Sequence, residues 1–500
     1  MTAHRLSEYI SALGPIVGSA PVLEEDPVIT QVTYDSREVF PGSVFICKGA
    51  HFDPAYLHQA VGRGAVAYIS ETIYPEVDVP GIVVTDIRDA IADAGTLFYD
   101  EEWDHLTLIG VTGTKGKSTT TSYIHAILSA WAASMGKPRP GILTSIRQED
   151  GVSDQEATRT TPETLDLYRH LHNAVISDCG YMCLEVSSQG LKYKRVANLT
   201  FEVGCFLNVS EDHISPQEHP DYEDYLTSKL RLFSQSRIAV VNMGTQDLVR
   251  VMEAASGCEK VVTFALRGPG EEVEADVTGY GIQTTMAGQE FTATVFGEVH
   301  DFAICMQGSF NVANALAAIT VCWCLGVPVQ YIREGLLATH VPGRMEVFRL
   351  ERGTTIIVDY AHQKLSIQAL MDWAKRQYPS SPISMVFGLG GEKALNRWEE
   401  FGKLAGENAD EIYLTEDDPG AVPVEEICRQ VDQFVQASGH KPSHIIPNRP
   451  AAVAQAVREA PDNGLVLVLG KGSERWQSRG GVAVTVPSDL DTVRGLVENQ

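Results

Sequence analysis

The stretch Leu106-Thr107-Leu108-Ile109-Gly110-Val111-Thr112-Gly113-Thr114-Lys115-Gly116-Lys117-Ser118 decides how this chain is read. Leu106–Val111 is a short apolar run suited to a buried strand, and Ser118–Ala133 carries apolar residues at helical spacing. Between them lies a glycine-rich turn. Strand, loop and helix in that order aim backbone N–H groups and a helix N-terminus at an anion. The strict pattern GxxxxGK followed by Ser or Thr fails at one position, because Val111 stands where glycine is required. The chemistry survives that change. Glycines let the backbone converge on phosphate oxygens, Lys117 can neutralise β- and γ-phosphate charge, and the Ser118 hydroxyl can ligate magnesium. A solvated lysine on an ordinary glycine turn is the plain alternative, and the flanking strand and helix weigh against it.

Outward from this loop, 500 residues are too many for one ordinary core, so three domains are expected. No window approaches 18 uninterrupted apolar residues, which argues against a membrane span. The start, Met1-Thr2-Ala3-His4-Arg5, leads into amphipathic sequence without a signal-peptide core. A formal net charge of -26 speaks against general affinity for nucleic acid or anionic membrane. A phosphate ligand must therefore be held by a local site against the global field. The nine cysteines are scattered and form no paired CxxC units, so a structural zinc site is not expected and a reducing cytoplasm fits best. A monomer is expected.

Residues 1–104 show short strand signals at Val28–Tyr34, Val44–Cys47 and Ile82–Thr85, broken by turns, and read as a small α/β domain. Apolar runs at Tyr181–Val186, Val203–Asn208 and Ile238–Asn242 alternate with helical stretches, implying a mainly parallel sheet in a central domain, 105–341. Within it, Glu271–Asp301 reads as an antiparallel insertion. A boundary near Pro342-Gly343 leaves 342–500, where strands at Thr354–Asp359, Ile383–Phe387, Glu411–Thr415 and Leu465–Leu469 indicate a third, Rossmann-like α/β domain.

Three further segments join the phosphate loop: Glu185-Val186-Ser187-Ser188-Gln189-Gly190, Asn208-Val209-Ser210-Glu211-Asp212-His213 and Asp359-Tyr360-Ala361-His362. With them the chain resembles the Mur ligases, ATP-dependent amide-forming enzymes of peptidoglycan synthesis, over almost its whole length. Asp35-Ser36-Arg37, Pro41-Gly42 and Thr160-Thr161-Pro162-Glu163 resemble the branch that extends UDP-N-acetylmuramoyl-L-alanyl-D-glutamate by a third amino acid. Asp417-Asp418-Pro419-Gly420 stands where diaminopimelate-adding members carry Asp-Asn-Pro-Arg, whose arginine grips a distal carboxylate. Gly420 supplies no cation and paired aspartates suit an ammonium, so the resemblance favours L-lysine as the added amino acid. Ornithine is one methylene shorter, a difference worth only about 1–3 kcal/mol, so it stays open, as does diaminopimelate.

The resemblance also implies roles. ATP would activate the D-glutamate side-chain carboxylate as an acyl phosphate that the amine attacks. Gly113, Thr114, Lys115, Gly116, Lys117, Ser118 and Thr119 would hold ATP, with Asn314, Arg344, Asp359 and His362. Ser118, Glu185, His213 and a carbamylated Lys229 would serve magnesium, and Lys117, Glu185, His213 and Lys229 would be catalytic. Without the resemblance, Lys229 on a helix reads as surface charge and Asn311 as an N-cap. Ser36, Thr160, Thr161, Ser187 and Arg195 would meet the UDP-muramoyl substrate, Arg195 by a carboxylate fork. Asp417, Asp418, Pro419, Gly420, Glu474 and Lys393 would meet the amino acid, although Lys393 stands where relatives show arginine. Two competing readings are a folylpolyglutamate-synthase-like ligase and a non-catalytic P-loop module. The roughly hundred residues ahead of the loop weigh against the first, and the Glu185, His213 and Lys229 constellation weighs against the second.

Overall fold

The computed structural model describes all residues except 1–2, 50–51, 212–213, 216–217, 286, 363, 392–395, 481 and 499–500, and the side chains of Glu102, Leu365 and Asn396. The chain forms two compact units. The first comprises Met1–Val209, Leu226–Phe264 and Ala317–Gly335, and the second Ser210–Tyr225, Ala265–Leu316 and Leu336–Gln500.

The first unit contains two sheets. The smaller has the order Val17–Ser19, Gly81–Val84, Ala65–Ser70, Ser43–Ile46, Gln31–Thr33. It is parallel apart from its Val17–Ser19 edge. The expected strand Val28–Tyr34 shortens to Gln31–Thr33, with Val28 making only an isolated bridge to Arg5. Helices Leu6–Leu13 and Ile87–Phe98 cover the sheet through Leu6, Tyr9, Leu13, Ile87, Ile91 and Ala94. The helix Ile87–Phe98 is capped by Asp86, which accepts from Arg88 N and Asp89 N.

The larger sheet has Thr107–Thr112 at its centre, paired in parallel with Tyr181–Glu185 on one side and Phe201–Phe206 on the other. Ser236–Asn242 and Gly141–Leu143 extend it outward, also in parallel. Thr107–Thr112 is buried along nearly its whole length, as expected of a strand covered on both faces. It feeds the helix Lys117–Ser134, which buries Tyr123, Ile124, Ile127 and Leu128. The sheet continues past Gly141–Leu143 into a short antiparallel meander, Arg147–Glu149 and Asp154–Glu156, absent from the sequence reading. Its turn is fixed by Asp150, which accepts from Val152 N, Ser153 N and the buried His170 ring.

The second unit contains the expected antiparallel ribbon, Val277–Thr285, Gly288–Val295 and Glu298–Ile304. It also holds a six-stranded sheet, in the order Glu346–Arg349, Thr355–Asp359, Leu465–Leu469, Ile383–Leu389, Glu411–Glu416, His444–Ile445. Only the Glu346–Arg349 edge is antiparallel. Ile357, Met385, Phe387 and Leu467 pack on one face of this sheet, and Ile356, Val386, Val466 and Val468 on the other. Asp359, Leu469 and Glu416 stand at the carboxyl ends of their parallel strands, where open α/β sheets take ligands. Among the described residues no helix is long and apolar enough to cross a membrane.

Candidate active site

Two lysines converge on one backbone carbonyl of the phosphate loop. Lys117 Nζ donates to Gly113 O at 2.9 Å and to Thr114 O at 3.2 Å. Lys229 Nζ donates to the same Gly113 O at 2.9 Å. Lys229 is 1% exposed, so its reading as surface charge is corrected: the helix Tyr222–Leu230 turns it inward. Burying an ammonium is costly unless it is paired, and the Gly113 carbonyl serves both lysines as a partner. Gly116, at φ 84, occupies the left-handed region that releases the loop into the helix at Lys117. A Cβ at Gly113 would stand 2.9 Å from Leu207 Cβ, so the loop and the strand end at Leu207–Asn208 approach too closely for a side chain.

Asn208 shapes the loop. Its backbone carbonyl accepts from Thr114 N at 2.9 Å, and its amide accepts from Lys115 N at 2.8 Å while donating to Lys115 O at 3.1 Å. The sequence reading places Asn208 in a motif without giving it a role. Its position one residue beyond an apolar strand-like run was the available signal.

Glu185 ends the strand Tyr181–Glu185 and is 3% exposed. Its Oε2 accepts from Ser118 Oγ and from Ser145 N, both at 2.9 Å, and its Oε1 lies 4.0 Å from Lys117 Nζ. Ser118 Oγ is also 3.0 Å from Ser145 Oγ. Thr119 is buried in the first turn of the helix. The expected metal residues Ser118 and Glu185 are thus in direct contact. His213 lies outside the described residues.

The Thr160–Glu163 segment is laced to the same strand end. Thr161 Oγ1 donates to Glu185 O at 2.9 Å and accepts from Ser187 N at 3.0 Å. Ser187 Oγ caps the helix Ser188–Lys192 by accepting from Gly190 N. Arg195 is buried. Its Nη1 donates to Thr161 O at 3.2 Å and its Nη2 pairs with Glu163 Oε1 at 2.8 Å, while its buried Nε has no partner. Arg159 reaches Glu163 Oε1 at 3.3 Å, and Lys48 pairs with Glu163 Oε2. Three cations therefore meet one carboxylate. Thr160 is half-buried, and Ser36 Oγ donates to Gln59 Oε1 at 2.6 Å in the smaller sheet's module.

In the second unit, Asp359 accepts from Met345 N and Ala361 N, both at 2.8 Å, and so fixes the turn that carries Arg344. The Arg344 guanidinium lies 4.2 Å from the Tyr360 ring centre, and the Tyr360 hydroxyl donates to Glu474 Oε1 at 2.5 Å. His362 Nδ1 donates to Tyr360 O at 2.8 Å. Asn311 is not an N-cap: the helix Ser309–Cys324 begins before it. Its Nδ2 donates to Gln307 O at 2.8 Å and its Oδ1 accepts from Asn314 Nδ2 at 3.2 Å, because one helical turn brings the two side chains together.

A cavity of about 360 Å³ is lined by Tyr360, His362, Arg397, Trp398, Asp417 and Glu474, together with Asp418 and Gly420. Gly420, at φ 61, needs glycine's freedom, and its backbone bridges Arg479. Arg479 itself is committed to Glu416, at 2.6 Å and 2.9 Å. Burial pushes the Asp417 carboxyl up to about 7, with Arg449 and Lys471 opposing the rise. Lys393 lies outside the described residues. Two cations missed by the sequence reading organise these strand ends. Arg449 pairs with Asp489 at 2.6 Å and donates to Glu416 O and Leu469 O, tying together the ends of two strands that flank Ile383–Leu389. Lys471 pairs with Glu474 at 2.7 Å and Asp418 at 3.2 Å.

Comparison with known proteins identifies the family. Residues 111–322 match the Mur ligase middle domain, and residues 343–472 match the Mur ligase, glutamate ligase domain. A UDP-N-acetylmuramyl-tripeptide synthetase of Lactobacillus delbrueckii subsp. bulgaricus is 34% identical over 489 residues, covering 94% of each chain. The UDP-N-acetylmuramoyl-L-alanyl-D-glutamate--L-lysine ligase of Enterococcus faecalis is 34% identical over 499 residues, covering 99% of this chain and 96% of its own. A solved UDP-N-acetylmuramoyl-L-alanyl-D-glutamate--2,6-diaminopimelate ligase superposes with a TM-score of 0.65 at 25% identity, covering 100% of this chain and 99% of its own. Two domain matches in order and relatives 34% identical over nearly the whole chain lead to one conclusion: this chain belongs to the Mur ligase family of ATP-dependent amide-forming ligases.

Proposed function

We propose that this ligase adds L-lysine to the D-glutamate side-chain carboxylate of UDP-N-acetylmuramoyl-L-alanyl-D-glutamate, in three domains at 1–104, 105–341 and 342–500. The observation that carries the choice of amine is the cavity beside Asp417, Asp418 and Glu474. Its carboxylates suit an ammonium, and Gly420 offers no cation for a second carboxylate. Arg479, the arginine bridged to Gly420, is already committed to Glu416.

In this reading a carboxylate oxygen of the substrate attacks the γ-phosphorus of ATP, and ADP leaves. The amine nitrogen of lysine then attacks the acyl carbon, phosphate leaves, and the nitrogen gives up its proton. Phosphoryl transfer needs charge neutralisation and alignment more than covalent help. Lys117 supplies charge at the loop, and Asn208 holds the loop's shape. Ser118 and Glu185 are touching oxygen donors, the ligand chemistry magnesium prefers. They would hold it with His213 and a carbamylated Lys229, and it would neutralise phosphate charge. Thr161, Ser187 and Arg195, clustered beside Glu185, are assigned with Ser36 and Thr160 to the UDP-linked substrate. Asn314, Arg344, Asp359 and His362 are assigned to ATP, and Asp417, Asp418, Pro419, Gly420, Lys393 and Glu474 to the amino acid. ATP and a UDP-linked substrate place the reaction in the cytoplasm.

The test is phosphate release from ATP with magnesium and the UDP-muramoyl dipeptide, comparing lysine, ornithine and diaminopimelate. Release that depends on lysine is expected. A preference for diaminopimelate would overturn the reading of Gly420, and release indifferent to every amine would overturn ligation.

A further inference from the structure

The Gly470–Glu474 turn places an ammonium of the chain itself beside the cavity assigned to an ammonium substrate. Lys471 is 1% exposed. Its Nζ lies 2.7 Å from Glu474 Oε2, 3.2 Å from Asp418 Oδ1 and 3.9 Å from Asp417 Oδ1, and 4.6 Å from the Trp476 ring centre. The other Glu474 oxygen takes the Tyr360 hydroxyl at 2.5 Å, and Asp418 Oδ1 also takes Ser478 N–H at 3.1 Å. Two of the three carboxylates thus already hold partners from the chain. Asp417 is the one that stands beyond hydrogen-bond distance of Lys471.

Charge points the same way. Among the described residues, Asp417, Asp418 and Glu474 all face the one Lys471 ammonium, so a substrate ammonium entering the cavity still finds carboxylate oxygen to meet. Asp417 is faced by Lys471 and Glu474 from this turn, by Arg449 from the helix Arg449–Glu459, by Tyr360 from the end of Thr355–Asp359, and by Asp418 beside it. His362 and Arg397 line the same cavity. Arg449 is engaged bidentately by Asp489, and among the described residues Lys471 is the buried cation shared among the cavity's own carboxylates.

We propose that Lys471 is a positioning residue that sets amine specificity: by holding Glu474 and Asp418 it leaves Asp417 to meet the side-chain ammonium and fixes how deep that ammonium sits. The inference rests on the amine-site reading above. It also makes the charge state of Asp417 depend on Lys471, since the lysine's field opposes the rise that burial imposes.

The test is kcat/KM for lysine against pH, at saturating ATP and UDP-muramoyl dipeptide, in the parent enzyme, Lys471→Met and Lys471→Arg. In the parent, kcat/KM falls as pH drops through about 7, where the Asp417 carboxylate is protonated. In Lys471→Met that limb moves upward by about one pH unit, because the stabilising charge is gone. Lysine KM rises about tenfold while kcat falls far less, and the preference for lysine over ornithine narrows. Lys471→Arg keeps the charge, so its limb stays at the parental pH. Parental lysine KM and limb in Lys471→Met overturn the proposal, as does an equal displacement in Lys471→Arg. Should Lys471→Met fail to fold, Asp417→Asn decides: the limb must vanish, and its survival overturns the proposal. Failure of the underlying reading looks different. A parent that releases phosphate without regard to any amine removes the amine site altogether, whereas a parent that prefers another diamino acid leaves the Lys471 test intact with that amine.

Discussion

Replacing Asn208 by alanine should weaken ATP binding while sparing the amine site. The side chain makes two hydrogen bonds to Lys115, accepting from its N–H at 2.8 Å and donating to its carbonyl at 3.1 Å. The backbone bond from Thr114 N to Asn208 O survives the change. Two neutral hydrogen bonds are worth about 1–3 kcal/mol together, and the half-exposed loop puts the loss near the lower end because water can replace part of it. About 1–2 kcal/mol of lost loop order corresponds to an ATP KM raised roughly 5- to 30-fold. Asn208→Asp sharpens the test. It keeps an acceptor for Lys115 N–H but loses the donor and adds negative charge beside the triphosphate loop, so it should bind ATP more weakly than Asn208→Ala. Amine-dependent phosphate release, titrated with ATP and separately with lysine, measures both. An ATP KM within about twofold of the parent in both variants, less than one hydrogen bond's worth, would refute the assignment of Asn208 as the loop's clamp.

Further outcomes follow from other buried groups. Lys229→Ala should abolish turnover, with partial recovery when short carboxylic acids are added to replace a carbamate; full activity without them would show that no carbamate is needed. Arg449→Leu leaves Asp489, 2% exposed, as an unpaired buried carboxylate, which should cost about 3–5 kcal/mol in urea unfolding. A cost below about 1 kcal/mol would mean that water reaches the pair. Gly343→Ala forces a side chain into φ 70 with its Cβ 2.3 Å from Ser473 N. Gly439→Ala meets only a φ of 91 and nothing within 4 Å. The first should therefore lower stability well beyond the second, which carries only the left-handed penalty of about 1–2 kcal/mol. Equal melting temperatures would contradict the packing.

The sequence was most readable where chemistry and local structure coincide. Gly113, Gly116, Lys117 and Ser118 sit within six residues, between a strand and a helix that each announce themselves by period. The buried strands around them, from Leu106–Val111 to Leu465–Leu469, were legible because both faces are apolar. Arg147–Glu149 and Asp154–Glu156 were not, since arginine, glutamine and the acids are poor strand formers and the pairing depends on Asp150 fixing the turn. Asn311 sits where a cap would be expected, but the helix begins at Ser309, directly after Gly308, so two cap-forming residues competed with Asn311 for the same start. Buried cations were the hardest to see. Lysine and arginine are almost never fully buried unless paired, and Lys229 and Arg449 find partners far away in sequence, at Gly113 and Asp489, while Lys471 adds distant Asp418 to its neighbour Glu474.

Glu163 gives Arg195, which is assigned above to the UDP-linked substrate, a further property on that assignment. It already occupies Arg195, Arg159 and Lys48, so these groups are never bare. An anion arriving at Arg195 enters by exchange with a tethered competitor whose effective concentration is high and constant. Affinity is moderated without loss of selectivity, because only a ligand that presents its carboxylate in the right place displaces the resident one. The same tether runs the exchange in reverse: as an anionic product loosens, Glu163 reclaims its partners and speeds departure.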